Sequence, residues 1–418
     1  MSHAKLSPSG AHRWMRCPGS VVLEAQYPDE SSSYAREGTA AHELAALVLE
    51  DGDATAQAYV GKRIAYNDHG EDVQWPITQD MADYVDDYVK LVRERAEGAT
   101  LLVERKLPID HITGEASATG TSDVVIIDHA NSEIVVIDLK YGMGVRVSAE
   151  ENEQTQLYAL GALEEYSVLG DFTYVSMLIH QPRLNHVSEW TITVEQLLTF
   201  AKSASFAAGQ CDLARSLDGE DALAGFLSPG EKQCRFCKAK ATCPALRAEI
   251  TEVVGGSSAA TLDEFSDFTP EPVDMQTGDN YLPIAMAKVG MVEDWCKAVR
   301  AEVERRLLAG QNVDGYKLVE GKRGPRKWSD ADDIEQLFKS FRLRQDEMYD
   351  FTLISPTKAE KVFKENPKRW AKVQERITQS TGKPSVAPAT DRRQAIAVQS
   401  VADDFRDLMQ TENVEVDN

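Results

Sequence analysis

The sequence predicts an α/β protein whose core is a mixed sheet flanked by helices. Three observations carry that expectation. Three Val- and Ile-rich runs follow one another at short intervals, at 101–107, 122–128 and 133–140. Segments with helical apolar spacing lie on both sides of them, at 37–50, 80–96 and 151–168. The resulting order, with further strand-like runs after the last helix, is that of a sheet layered with helices.

Taken in order, 37–50 places Leu44, Leu47 and Val48 on one helical face, with Thr39 as its expected N-cap. The next helix, 80–96, sets Met81, Tyr84, Val85, Tyr88, Leu91 and Val92 at helical spacing before Gly98. The strands 122–128 and 133–140 are separated by His129-Ala-Asn-Ser132, a hairpin-length connection. After the helix at 151–168 come strands near 173–180 and 187–194, then a helix at 195–215. Residues 255–280 carry Asp263, Glu264, Asp267, Glu271, Asp274 and Asp279 without Lys or Arg, an expected acidic linker between domains 1–254 and 281–418. The second domain opens with a helix to Gly310 whose stripe is Val292, Trp295, Val299, Val303 and Leu307. Lys317, Lys322, Arg323, Arg326 and Lys327 then cluster around Trp328, a second basic run spans 357–383, and the tail from about 384 is expected to be partly mobile.

Composition narrows the function classes. With 45 Lys and Arg against 68 Asp and Glu in 418 residues the net charge is −23, which argues against a passive nucleic-acid coat, so any DNA contact is local. No run of about 18 apolar residues occurs, and the first residues lack the pattern of a secretory signal. The expected location is the cytoplasm, with no membrane partner, and there the six cysteines are expected to be reduced or metal-bound.

Two constellations carry chemistry. In the hairpin joined at 129–132, Asp123 and Asp138 lie far from the turn and can face each other across the ladder. Two carboxylates forced together repel, and a divalent cation is the usual remedy. Lys140, two residues after Asp138, shares its strand face, within reach of water or a phosphate oxygen. On the following helix Gln154 and Tyr158 share a face, where they can contact DNA backbone or brace the lysine; Gln156 replaces Gln154 if the register differs. The second constellation is Cys234-x2-Cys237-x5-Cys243 with a distant Cys17, three clustered thiols and one from the far end of the domain. A zinc ribbon would need a second C-x-x-C knuckle.

These motifs, with Gly38-x-x-x-His42, Asp138-x-Lys140 and Gln154-x-x-x-Tyr158, resemble the RecB-like branch of the PD-(D/E)XK nuclease superfamily. The opening from Leu6 to Cys17 and the three later cysteines are similar to the iron–sulfur staple of that branch, which includes the CRISPR adaptation nucleases and AddB-type subunits. The resemblance implies a restriction-endonuclease-like core with metal ligands His42, Asp123, Asp138 and the Leu139 carbonyl, Mg²⁺ or Mn²⁺ as the ion, and Lys140 as the catalytic lysine. Cys17, Cys234, Cys237 and Cys243 would hold a [4Fe–4S] cluster, and Glu104 matches an acidic position expected behind the ligands. The resemblance covers about 1–250. Beyond it, segments at 315–323 and 353–358 resemble the extension of a phage-encoded RecB-like family, a mainly helical part in which Lys322, Arg323, Arg326 and Lys327 would track DNA.

The function implied is a metal-dependent DNA nuclease, an exonuclease, acting on single strands or duplex ends in phage or bacterial replication and recombination. Recombination or single-strand-binding proteins are the expected partners, and a phage-encoded protein would work in the bacterial host cytoplasm. Two competing readings are a non-hydrolytic DNA-binding or scaffold subunit that keeps the fold, and a zinc-bound interaction protein.

Overall fold

We describe the protein from a computed structural model covering residues 4–28, 32–68, 70–217, 219–255, 281–317 and short stretches between 336 and 377. The chain divides into two units, Met1–Val319 and Glu320–Asn418. The acidic stretch 256–280, Lys322, Arg323, Arg326, Lys327, Trp328 and the tail from 384 lie outside the described residues.

In the first unit, helix α1 spans Ser33–Glu50. Its N-cap is Ser32, whose hydroxyl accepts from the Ala35 N–H at 3.1 Å. Thr39 is therefore not the cap. It lies inside the helix, and its Oγ1 donates to the Ala35 carbonyl at 3.2 Å. The capping serine precedes a turn too polar to register as apolar periodicity, and so the helix starts four residues earlier than that periodicity indicates.

A hairpin the sequence pattern did not indicate follows: β1 (Arg63–Asp68) and β2 (Glu71–Pro76), antiparallel. It is fastened to α1 by Arg36, which donates to Asp68 at 2.8 Å and Glu71 at 2.6 Å, and by the Tyr66 hydroxyl, which donates to the Arg36 carbonyl at 2.7 Å. Helix α2 (Gln79–Arg95) is capped by Thr78 and buries Met81, Val85, Tyr88, Val89 and Val92.

The five-stranded sheet then forms from β3 (Thr100–Pro108), β4 (Thr119–Asp128), β5 (Glu133–Leu139), β6 (Tyr174–Gln181) and β7 (His186–Thr193), in that spatial order. All neighbours are antiparallel except β5 and β6, which are parallel, so the sheet is mixed as expected. The parallel pair is joined through helix α3 (Glu153–Tyr166), and α4 (Val194–Arg215) follows β7. Every residue of β5 is buried, the mark of a strand covered on both faces.

Two hydrophobic cores, one per face, account for that burial. Val125, Ile127, Ile134 and Val136 pack with Leu157 and Leu160 of α3 and Leu197 of α4. Val124, Ile126, Val135, Ile137 and Leu139 pack with Leu44 and Val48 of α1 and Met81, Val85 and Tyr88 of α2. Helix α3 lies tight on β3 because residue 161 is glycine: a Cβ there would sit 2.8 Å from Leu107 Cβ and 2.9 Å from the Pro108 carbonyl oxygen.

Helix α5 (Pro244–Gly255) and helix α6 (Tyr281–Leu308) close the unit. Met291, Val292 and Trp295 of α6 pack with Leu246 and Ile250 of α5, so this helix belongs to the first unit. In the second unit the described helices are α7 (Pro356–Val362) and α8 (Pro367–Gln374). No helix among the described residues is long and apolar enough to cross a membrane.

Candidate functional site

The first constellation assembles where β4 and β5 end their ladder. The last pair there is Val124↔Ile137, and Asp123 and Asp138 are the next residues on each strand. Asp123 is held from two sides: its Oδ1 lies 3.0 Å from His42 Nδ1 on α1, and its Oδ2 accepts the Leu139 N–H at 2.7 Å. The third member is Glu104 of β3, between the pairs Val103↔Val124 and Arg105↔Ser122. Its backbone is left-handed, φ 48°, a conformation a glutamate adopts only when its surroundings impose it.

His42, Glu104 and Asp123 each offer a ligand atom within 4.8 Å of the others. Together with Leu49, Tyr88, Val103 and Leu139 they line a small pocket. The kinked backbone brings Glu104, expected behind the ligands, within 4.8 Å of His42 and Asp123, a placement that residue spacing cannot reveal. Leu139 lines the pocket and gives its N–H to Asp123.

Electrostatics follow from burial and charge. Burial opposes a charged His42, but Asp123 beside it outweighs that and pushes the imidazole up to about 9. Asp123 is correspondingly lowered: burial works against its charge, and His42 together with the Leu139 N–H overcomes it. Glu104 is pushed up to about 7 by burial and by the charge of Asp123. His42 and Asp123, half-buried, and the exposed Glu104 thus compete for protons at one pocket in the way that a cation would relieve.

Asp138 continues the row of Ile134 and Val136 that faces α3. Burial and then the nearby Asp123 raise its carboxyl above the usual range, against the opposing pull of Lys140. Lys140 Nζ lies 2.9 Å from Asp138 Oδ2 and donates to Gln154 Oε1 at 2.8 Å. The Gln154 amide nitrogen donates in turn to Asp138 Oδ1 at 3.2 Å and to the Tyr158 hydroxyl at 3.3 Å. The amide therefore braces the lysine, Gln154 rather than Gln156 is the residue that does so, and Tyr158 is buried behind it. The structure joins Asp138 to the lysine clamp and Glu104 to the imidazole, where the resemblance placed Asp138 with His42.

The second constellation also converges. Cys17, Cys234, Cys237 and Cys243 line one pocket with Leu23, Leu227 and Leu246. The Ser228 N–H donates to Cys17 Sγ and the Gly230 N–H to Cys234 Sγ, both at 3.3 Å. Burial raises the thiols of Cys17 and Cys234 and pushes Cys237 up to about 12. Cys211, outside this pocket, is buried on α4 and donates to the Trp14 carbonyl.

Comparison with known families finds a match to the one described as "Protein of unknown function (DUF2800)" over residues 3–394. Among solved structures, one titled "Crystal structure of SSO0001" is 13% identical, covering 59% of this chain and 89% of its own, with a TM-score of 0.26.

Proposed function

The chain belongs to the DUF2800 family, and we propose that it is a metal-dependent deoxyribonuclease of RecB-like PD-(D/E)XK type. In this reading it is an exonuclease working on single strands or duplex ends in phage or bacterial DNA replication and recombination, in the cytoplasm, beside recombination or single-strand-binding proteins. The observation that carries the reading is the adjacency of two devices at one end of the sheet. One is an imidazole with two carboxylates, and the other is a lysine clamped by Asp138 and Gln154.

The residues present fit Mg²⁺ or Mn²⁺. Carboxylate oxygens suit hard divalent cations, an imidazole nitrogen suits Mn²⁺, and the mutual crowding of Asp123 and Glu104 is what a positive ion offsets. His42, Glu104 and Asp123 would hold it, with Asp138 and the Leu139 carbonyl as the further donors the motif implies. When bound, such an ion neutralises charge on a phosphate and makes water more acidic.

The chain's own residues do the remainder. Asp123 fixes the His42 ring through Nδ1 and is itself fixed by the Leu139 N–H. Gln154 and Asp138 hold the Lys140 ammonium in one position, which leaves one N–H for an incoming water or phosphate oxygen without further ordering. Asp138 pairs with the lysine at 2.9 Å and offers a carboxylate oxygen toward a proton leaving that water.

The four pocket thiols fit a [4Fe–4S] cluster. Burial raises the thiols of Cys17, Cys234 and Cys237, so a compensating positive group would favour their ionisation, and Cys17 and Cys234 already receive the N–H···S bonds that cluster sulfurs take. Its contribution would be structural, joining residue 17 to residues 234–243.

The test uses end-labelled linear and circular DNA, single- and double-stranded, with Mn²⁺. Linear substrate is expected to be consumed from its ends. Lys140→Ala and Asp138→Ala are expected to lose roughly 10²–10³-fold or more in rate with unchanged circular dichroism. Wild-type turnover in both variants would overturn the mechanism, and DNA binding without cleavage by the wild type would replace it with the non-hydrolytic reading.

A further inference from the structure

One polar group at the carboxylate site has no assigned task. The Tyr88 side chain on α2 is 1% exposed, and its hydroxyl has no hydrogen-bond partner among the described residues. A buried hydroxyl without a partner is costly and calls for an explanation. This one lines the same pocket as His42, Glu104 and Asp123.

The ring is held in place by its apolar body. It stacks on the His180 ring at 5.9 Å and 25°, and it packs in the α2 row with Met81, Val85 and Val92. His180 in turn accepts the Lys140 N–H through its carbonyl at 2.9 Å, so the stack rests against the strand end that carries the lysine. Burial first, and then the charges of Asp123, Asp138 and Glu104, keep the phenol protonated far above its ordinary range. Tyr88 is thus a fixed, neutral donor beside a group of acceptors, satisfied by none of them.

We propose that Tyr88 is a positioning residue of the cation site, donating its hydroxyl hydrogen to a water molecule that enters the pocket with a divalent cation held by His42, Glu104 and Asp123. The inference rests on the cation reading of that pocket and deepens it. Groups that hydrogen-bond a metal's ligands tune its affinity by fixing their orientation. The pocket brings His42, Glu104 and Asp123 together within a mainly apolar lining and has room for about one water molecule. The sequence hid this residue, because Tyr88 falls in the apolar stripe of its helix and reads there as core.

The experiment uses full-length protein, freed of divalent cations, with Mn²⁺ alone as the probe in calorimetric titration. Wild type, Tyr88→Phe and His42→Ala are compared, the last to separate this site from weak binding to acidic surface. The expected result is one Mn²⁺ bound by wild type that His42→Ala lacks, and the same Mn²⁺ bound roughly 10-fold more weakly by Tyr88→Phe. The metal-free Tyr88→Phe protein is expected to melt no lower than wild type, since phenylalanine keeps the stack and removes only the unpartnered hydroxyl. Equal Mn²⁺ affinity in wild type and Tyr88→Phe would overturn the role of Tyr88 and leave the cation site standing. A lower melting point of metal-free Tyr88→Phe would assign the hydroxyl to packing and overturn it as well. Absence of any Mn²⁺ that His42→Ala lacks would overturn the cation reading itself.

Discussion

The carboxylate pocket and the cysteine pocket lie in the same unit and are built in opposite ways. The first stands on long elements, α1, α2, α3 and three strands, and most of its polar groups satisfy one another: His42 with Asp123, Asp123 with the Leu139 N–H, Lys140 with Asp138 and Gln154. The second stands on turns and four- to five-residue helices such as Ser20–Glu24 and Glu231–Cys234. Its sulfurs come from positions more than two hundred residues apart, and backbone N–H groups reach two of them. A site made of paired groups on regular structure keeps its shape without a ligand. A site made of buried thiols on short turns draws its cohesion from whatever the thiols bind.

The sharpest way to break this contrast is to remove one thiol. Anaerobically purified wild type is expected to hold roughly four irons per chain. Cys17→Ser and Cys237→Ala are expected to lose that iron and to melt lower by on the order of 10 °C, from several kcal/mol of lost ligand binding at about 2–4 °C per kcal/mol. Asp138→Ala should melt within a few degrees of wild type. Calorimetry with iron and zinc analysis decides: stoichiometric zinc in place of iron corrects the cofactor, and an unchanged melting point in the cysteine variants would erase the difference between the pockets.

A smaller effect tests the claim that the carboxylate pocket is paired in metal-free protein. His42 is raised from 6.5 to about 9, against burial, by Asp123. A histidine whose folded value is raised contributes stability that is fully present below its unfolded value, near pH 6.5, and is lost as pH climbs through about 9. In metal-free protein the unfolding free energy of wild type relative to Asp123→Asn, read from urea titrations, should therefore fall between pH 6.5 and 9.5, by on the order of 1–2 kcal/mol after allowance for solvent screening. Asparagine keeps an oxygen to accept the Leu139 N–H, so the variant removes charge and leaves the scaffold. Parallel pH profiles for the two proteins would mean that the pair is not formed before the ion arrives.

The same contrast explains what the sequence revealed. Helical spacing located α1, α2, α3 and α4 because each buries a continuous stripe, and β4 and β5 because Val and Ile fill strands buried on two faces; β3, an edge strand, was located by its Leu-Leu-Val run although most of it is half-buried or exposed. Asp138, Lys140 and Gln154 were legible because strand and helix periods fix which residues share a face. The β1–β2 hairpin was not, since its six-residue strands put only Ile64 and Tyr66 into the core and carry polar or charged residues at most other positions, Asp68 and Glu71 among them bonded to Arg36. Glu104 depends on one left-handed dihedral and Tyr88 on which end of a buried ring meets a pocket, and neither leaves a pattern in the residue order. The cysteines announced themselves by spacing alone, although the short helices that present them carry no periodic signal at all.

The smallest effect concerns the start of α1, the helix that delivers His42. Ser32 satisfies an N–H that would otherwise face no partner, so Ser32→Ala should cost about 1 kcal/mol of stability. Thr39 is inside the helix and bonds backwards to a carbonyl that the helix already uses, so Thr39→Ala should be neutral or slightly stabilising. His42 lies ten residues beyond the cap and three beyond Thr39, in turns anchored by Leu44, Ala45 and Val48 in the core. Fraying at the first turn therefore has no route to the imidazole, and Mn²⁺ affinity should be unchanged in both variants even as the urea midpoint of Ser32→Ala drops. A cap variant that weakened Mn²⁺ binding in proportion to its lost stability would show that the carboxylate pocket, like the cysteine pocket, is held by a margin that each local contact helps to set.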